Sequence, residues 1–239
     1  MKQIAKLIGK GINSILLLSG YQLRRIKDNQ KNINKKKAED FIWRKASNLP
    51  KVPTIIDIGI GPKATPGLYK HFPHARYVFI DPLEECRKAV EKRLEGCNNI
   101  FIASAVGSTN TCSILNVARK PSRSSFYKRG IKKVSFKSEP IEQRKVPVQR
   151  LDDIILPFSL ETPFGIKIDT EGYELEVLRG ATSSLKNSSF VIVEFHFSDS
   201  ILNSYTLQDI LTYMEKAGFY AYFMLSDGRN IVFINKNHK

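Results

Sequence analysis

The sequence predicts an α/β fold, a mostly parallel sheet with helices on both faces and an antiparallel hairpin at its C-terminal end. Three observations predict it. Short apolar runs recur from Thr54 onward (Thr54-Ile55-Ile56-Asp57-Ile58, Tyr77-Val78-Phe79-Ile80, Ile100-Phe101-Ile102-Ala103, Gly165-Ile166-Lys167-Ile168, Phe190-Val191-Ile192-Val193). Their near-continuous hydrophobicity is that of strands buried on both faces. Segments of helical period alternate with them, at 83–95, 172–185 and 205–217, and that alternation is the mark of a parallel sheet joined by crossover helices. Last, strands at Ala221 to Leu225 and Asn230 to Ile234 flank Asp227-Gly228, a turn pair suited to a hairpin.

The chain has 239 residues, enough for one α/β domain with a substantial core, and its 42% apolar and 10% aromatic content is globular rather than disordered. Three cysteines, Cys86, Cys97 and Cys112, occur without a CxxC spacing. The odd number points to a reducing, cytoplasmic setting and away from disulfide staples or a structural zinc.

The net charge of +15 is concentrated in two segments. Residues 1–51 hold thirteen Lys and Arg against three Asp and Glu, a net of +10, and residues 116–150 hold eleven against two, a net of +9. The rest of the chain is therefore mildly acidic, at −4. Two basic appendages suit an anionic partner: an acidic or phosphorylated glycan, a membrane surface or nucleic acid. They equally suit solvated faces that maintain solubility.

Residues 1–51 read as a basic, helical N-terminal segment. Ile4, Leu7, Ile8, Ile12, Ile15 and Leu16 recur at helical spacing between Lys2, Lys6 and Lys10, so residues 1–25 form an amphipathic helix suited either to peripheral contact with a membrane or to packing on the body or a second subunit. Its longest apolar run, Ile15-Leu16-Leu17-Leu18, is far short of the ~20 residues that span a bilayer. With no A-x-A site behind it, it does not read as a signal peptide. Residues 27–40 are polar and charged and read as a linker or an exposed helix. Residues 52–239 read as the α/β domain, with a basic insertion at 118–145 that suits a substrate loop over the carboxyl edge of the sheet.

Two features carry cofactor chemistry. The first strand ends in Asp57-Ile58-Gly59-Ile60-Gly61-Pro62, whose glycines let backbone approach a ligand. The second ends in Asp81-Pro82, and a strand-end acid there grips the ribose hydroxyls of an adenosine ligand. No GxxxxGK[ST] occurs, which excludes a P-loop. No glycine stands at position 64 to complete G-x-G-x-x-G, which disfavours a pyrophosphate-bearing dinucleotide. S-adenosylmethionine (SAM) carries no phosphate, and the loop and acid together favour it.

The most specific stretch is Lys167-Ile168-Asp169-Thr170-Glu171-Gly172-Tyr173-Glu174-Leu175-Glu176-Val177-Leu178-Arg179-Gly180-Ala181. It resembles the K-x-D-x-E-G-x-E-x-x-V-L-x-G-A signature of FkbM-type SAM-dependent methyltransferases. Further stretches follow in the family's order: Asp57 to Gly61, Asp81-Pro82, Ala105-Val106-Gly107, Val146 to Asp153, and Val193-Glu194-Phe195-His196. The resemblance spans residues 54 to about 235. The glycine loop departs from the family's D-x-G-A-N-x-G, and the 118–145 insertion is unusually basic.

The resemblance implies a Rossmann-like class I methyltransferase fold with a seven-stranded sheet, and transfer of a methyl group from SAM to a hydroxyl of a small-molecule or carbohydrate acceptor. Asp57, Gly59, Ile60, Gly61, Asp81, Pro82, Ser104, Ala105 and Val106 would line the cofactor. Asp169 and Glu171 past one strand, with Glu194 and His196 ending its neighbour, would orient the acceptor and take its proton. Strand alternation points Glu194 and His196 to one face. These four groups have donor types that a divalent cation accepts, but carboxylates with one histidine are a common metal-free arrangement, and no metal is assigned. Lys167 suits either an ion pair with Asp169 or acceptor binding, and Arg123, Lys128 and Arg129 suit an anionic acceptor. Glu174 and Glu176 read as solvated helix surface.

Two other functions compete. The charge, with Phe126-Tyr127 among arginines, fits an RNA methyltransferase, although no N/D-P-P-Y/F motif occurs and a nucleic-acid partner is not expected. A non-catalytic basic protein on a degenerate scaffold would have no need of the Asp57/Asp81 pair or the 167–181 signature.

Overall fold

The computed structural model describes residues 43–95, 98–128, 139–195, 205–225 and 228–237. The expected N-terminal amphipathic helix, the polar linker and Cys97 lie outside them. Residues Lys45–Lys239 form one compact unit. Among the described residues, no helix is long and apolar enough to cross a membrane.

Among the described residues, ten strands make two sheets. The larger holds β1 (Thr54–Ile58), β2 (Arg76–Ile80), β3 (Ile100–Ile102), β7 (Phe164–Ile168), β8 (Ser188–Glu194), β9 (Phe219–Met224) and β10 (Asn230–Asn235) in the order β3-β2-β1-β7-β8-β10-β9. All pairings are parallel except those of β10, which runs antiparallel to both β8 and β9. This is the predicted seven-stranded, mostly parallel sheet with its terminal antiparallel hairpin. The apolar runs explain the order: every residue of β1, β7, β8 and β10 is buried, and these strands occupy its interior.

The chain steps outward from β1 through β2 to β3, then restarts at β7 on the other side of β1 and steps the opposite way to β8. Right-handed crossovers in opposite directions put their helices on opposite faces. The carboxyl ends of β1 and β7 therefore flank a topological switch point, where such sheets bind ligands.

The connections are shorter than the sequence suggests. The helix expected over 83–95 is a 3-10 turn, Glu84–Ala89, and one α-turn, with Val90 off helical geometry between them. Numbering only α-helices, α1 is Pro66–His71, α2 Glu91–Leu94, α3 Leu151–Ile155, α4 Glu174–Arg179, α5 Thr182–Lys186 and α6 Leu207–Lys216. The single helix expected over 172–185 is thus two. It breaks at Gly180-Ala181, where a β-carbon on Gly180 would lie 1.9 Å from the carbonyl oxygen of Gly107. The Asp152 carboxylate accepts the backbone N–H groups of Ser183 and Ser184 at the start of α5. The start of α6 is fixed by a reciprocal capping box between Thr206 and Asp209.

A second sheet, β4-β6-β5, was not foreseen: β4 (Ala105–Val106) pairs parallel with β6 (Pro140–Gln149), and β5 (Thr111–Ala118) antiparallel with it. Strand β6 begins inside the segment read as a loop, so that residues 140–145 are strand. Between β5 and residue 128 the chain makes a 3-10 turn, Pro121–Arg123, and returns to β5 through paired backbone bonds of Asn116 and Ser125.

Candidate active site at the sheet switch point

Strand register brings the site together. Asp57 stands opposite Lys167 across β1 and β7. The amide of Asp169 donates to the carbonyl of Ile58 at 3.0 Å, which carries the pairing one step past the strands. On β8, Ile168 pairs with Val193, so Asp169 and Glu194 end neighbouring strands side by side.

Their side chains form one polar row across four strand ends. Tyr69, from α1, donates its hydroxyl to Asp57 Oδ2 at 2.6 Å, while Asp57 Oδ1 has no hydrogen-bond partner. Lys167 Nζ lies 3.8 Å from Asp57 Oδ1 and 3.2 Å from Asp169 Oδ2. Asp169 and Glu194 stand side by side at these strand ends, and Glu194 Oε1 is 2.9 Å from Arg229 Nη1 on the turn before β10. Exposure decides which members can meet a substrate. Asp57, Lys167 and Glu194 are sealed, whereas the Asp169 side chain is 31% and that of Arg229 54% exposed.

The charges in this row follow from burial and proximity. Burial alone would discharge Lys167, but the Asp169, Asp57 and Glu194 carboxylates around it outweigh that and hold it ionised. Burial, then the hydrogen bond to Asp169 and its charge, pushes the Glu194 carboxyl up to about 10 against the pull of Arg229 and Lys167. Arg229 sits half in water, where its charge is screened. A proton is therefore favoured on Glu194, which leaves the pair one negative charge, and that charge together with Asp57 balances the two cations.

The glycine loop sits over the row. Gly59 (φ +77°) passes so close to β7 that a β-carbon would lie 1.8 Å from the Asp169 carbonyl oxygen. Gly61 (φ +57°) donates its N–H to Asp81 Oδ2 at 2.9 Å, and the Leu83 N–H reaches Asp81 Oδ1 at the same distance. Asp81 therefore holds the loop against the end of β2. Burial raises its carboxyl despite these donors. Ile60 is buried and Pro82 half-buried. Ser104 gives its hydroxyl to the carbonyls of Ala105 and Pro147, and Ala105 and Val106 are buried in β4.

The loop after β7 is held from both sides. Glu171 has a left-handed backbone (φ +52°), uncommon for a residue with a side chain, and its carbonyl accepts the Ser125 hydroxyl at 2.7 Å. Glu174 is fully buried rather than solvated, because its carboxylate takes the N–H groups of Thr170 and Gly172 and the hydroxyl of Tyr205. Glu176 is half-buried against Ser108 and Arg179.

The basic segment crosses this edge as a strap. A β-carbon on Gly61 would come within 3.4 Å of Ser122, and the rings of Phe126 and Tyr127 lie 4.7 and 5.7 Å from that of Tyr173. Residues 122–127 thus run from the glycine loop to the 170–173 loop. Arg123 is half-buried in this strap and Lys128 exposed at its end. Beside it, Tyr127, Gly172, Tyr205 and Arg179 help to line a cavity of about 260 Å³.

Of the site residues expected from the sequence, His196 and Arg129 lie outside the described residues. Lys167 is an ion-pair partner of Asp169 and Asp57. Among the described residues, no group of three or more His, Cys, Asp or Glu is arranged to hold a metal. Tyr69, Tyr205 and Arg229 were missed. Tyr69 belongs to Thr65-Pro66-Gly67-Leu68-Tyr69, a stretch that resembles a subgroup of the family but gives the tyrosine no role, and Arg229 stands beside a hairpin turn that looks like any other.

The family described as Methyltransferase FkbM domain matches residues 60–220. Over 45 residues the chain is 44% identical to the hexuronic acid methyltransferase AglP of Haloferax volcanii, and the match spans only 19% of each chain. Among solved structures, the chain is similar to the magnesium protoporphyrin IX methyltransferase of Synechocystis PCC 6803 with bound SAM (TM-score 0.43, 10% identity, 84% of this chain and 79% of that one). It is likewise similar to the N-methyltransferase NodS of Bradyrhizobium japonicum WM9 (TM-score 0.45, 11% identity, 84% and 96%).

Proposed function

Because the chain belongs to the FkbM methyltransferase domain family, we propose that it transfers a methyl group from SAM to a hydroxyl oxygen of a small-molecule or carbohydrate acceptor. The observation that carries this reading is the switch point itself. Two strand-end acids and a glycine loop stand there beside one partly exposed carboxylate, Asp169, held between Lys167 and Glu194.

The residues present fit the cofactor. Asp57 Oδ1 is a buried acceptor without a hydrogen-bond partner, and each Asp81 oxygen keeps a lone pair beyond the one N–H it accepts. Gly59, Ile60, Gly61, Asp81 and Pro82 would hold it, with Asp57 sealed behind them and Ser104, Ala105 and Val106 as the neighbouring wall. When bound, SAM supplies an electrophilic methyl group on a sulfonium centre.

The chain's own groups then serve the acceptor. Asp169 receives the hydroxyl proton as the oxygen is alkylated, and the short reach from a fixed carboxylate supplies orientation as well as proton transfer. Lys167 keeps Asp169 oriented and balances its charge. Glu171 borders the approach on a loop pinned by Ser125 and Glu174. Arg123 and Lys128 on the strap suit an anionic group of the acceptor, a demand that a hexuronic acid would meet.

Isothermal titration with SAM tests the cofactor half, with Asp81→Asn as the variant. Binding that weakens at least tenfold in the variant is expected, and absence of binding to folded wild-type protein would sink the reading. Transfer of labelled methyl from SAM to free hexuronic acid tests the acceptor half. A product whose methyl sits on the carboxylate as an ester, rather than on a hydroxyl as an ether, would overturn hydroxyl methylation.

A further inference from the structure

We propose that Arg229 is a positioning residue for this transfer: its guanidinium fixes the Glu194 carboxyl against Asp169, and thereby the way Asp169 meets the acceptor. The inference rests on the reading that Asp169 receives the acceptor's proton.

The geometry that carries it is the order of charges along the strand ends. Lys167, Asp169, Glu194 and Arg229 follow one another from β7 across β8 to the turn before β10, a cation at each end and two carboxyls between. Two neighbouring carboxyls stay together only if a proton is shared and the residual charge is met from outside. Lys167 meets it on one flank and Arg229 on the other. The Arg229 backbone is itself fixed, because its carbonyl accepts the Phe195 N–H at 2.9 Å and Asn230 stands opposite Glu194 in the ladder. An arginine suits the task, since its planar fork directs a bond in a set direction where an ammonium would swivel.

Among the described residues, other titratable groups also face the pair. Asp57 faces it from β1 behind Lys167, and Tyr69 stands behind Asp57 on α1. Tyr205, ahead of α6, brings its hydroxyl within 3.5 Å of the Glu194 carbonyl and donates to Glu174. Arg229, 2.9 Å from Glu194 Oε1, places a cation on the Glu194 flank.

The test compares the full-length wild type with Arg229→Met and Arg229→Lys. The Glu194 carboxyl is titrated by carbon-detected NMR without any ligand. In Arg229→Met its titration should move to higher pH by about half a unit, the scale of a half-exposed ion pair, and in Arg229→Lys most of the shift should be restored. With labelled SAM and free hexuronic acid, Arg229→Met should lower kcat and move the acidic limb of the rate profile upward, with the acceptor KM unchanged. An unmoved Glu194 titration overturns the proposal, as does a moved titration with an unchanged rate profile. A raised KM with an unmoved profile also overturns it, since Arg229 would then be an acceptor contact. If wild type transfers nothing although the titration moves, the proposed reaction fails and the Arg229–Glu194 coupling stands. Should Arg229→Met not fold, Arg229→Gln takes its place in both measurements.

Discussion

A β-carbon at position 59 would sit 1.8 Å from the Asp169 carbonyl oxygen on a backbone already at positive φ. Gly59→Ala should therefore cost several kcal/mol, as clash adds to the ~1–2 kcal/mol of a left-handed alanine, and thermal melting should show it as a large drop in Tm. A wild-type Tm in that variant would mean that the loop does not run so close to β7. Glu194 makes a different demand. In the folded protein, burial and then Asp169 push its carboxyl up to about 10, against an ordinary 4.5 in an unfolded chain. Between those values the unfolded state binds fewer protons, so this group makes stability fall as pH rises. Glu194→Gln cannot ionise, and Tm plotted from pH 5 to 9 should decline less steeply than in wild type. An unchanged slope would place the proton elsewhere. Asp57, Asp81, Asp169 and Glu194 were legible in the sequence because each ends a recognisable apolar run. Their partners were not: Tyr69 and Arg229 reach them from segments whose own patterns encode only a helix turn and a hairpin.

The 170–173 loop shows why a signature can be read correctly and its members misassigned. At its position in the signature, Glu174 has the spacing of an outward helix residue, yet it turns back to satisfy two backbone N–H groups of the loop before it. Glu174→Ala would leave those donors unpaired in a buried place, at about 1–3 kcal/mol each, and chemical denaturation should register a loss of at least ~2 kcal/mol. A smaller loss would mean that water replaces the carboxylate. The split of α4 from α5 was hidden for a related reason. The 3.6-residue period continues through Gly180, and only the approach of Gly107 from the second sheet makes that glycine a break. That sheet was itself hard to see. Its middle strand, β6, carries Glu142, Arg144, Lys145 and two prolines, and is exposed along most of its length, so neither alternation nor a solid apolar run marks it. Its pairing comes from β5, whose register runs from Thr111–Val148 to Ala118–Pro140.

The order of the large sheet sets which parts hold longest. Strands β1, β7, β8 and β10 have neighbours on both sides and full burial, whereas β3 and β9 end the sheet. Hydrogen exchange should accordingly be slowest in those four strands, and faster in β9, most of which is exposed. Slow exchange in β9 would point to a partner strand on its free edge. This order was legible as a class, because buried runs and a terminal hairpin suffice to predict it, while the strap and the sheet beneath it depend on contacts between distant segments. One feature of the order bears on how the molecule is made. Strand β10 lies between β8 and β9, although it is the last of the three to be synthesised. A growing chain can lay β1, β2, β3, β7 and β8 side by side as they emerge, at some 5–20 residues per second, but β9 then has no place to dock. It must wait for residues 230–235, and Arg229 reaches Glu194 only when they arrive. Until that moment the nascent protein carries a glycine loop beside a carboxyl pair with one flank open, so the row of charges is completed only with β10 rather than built up along the way.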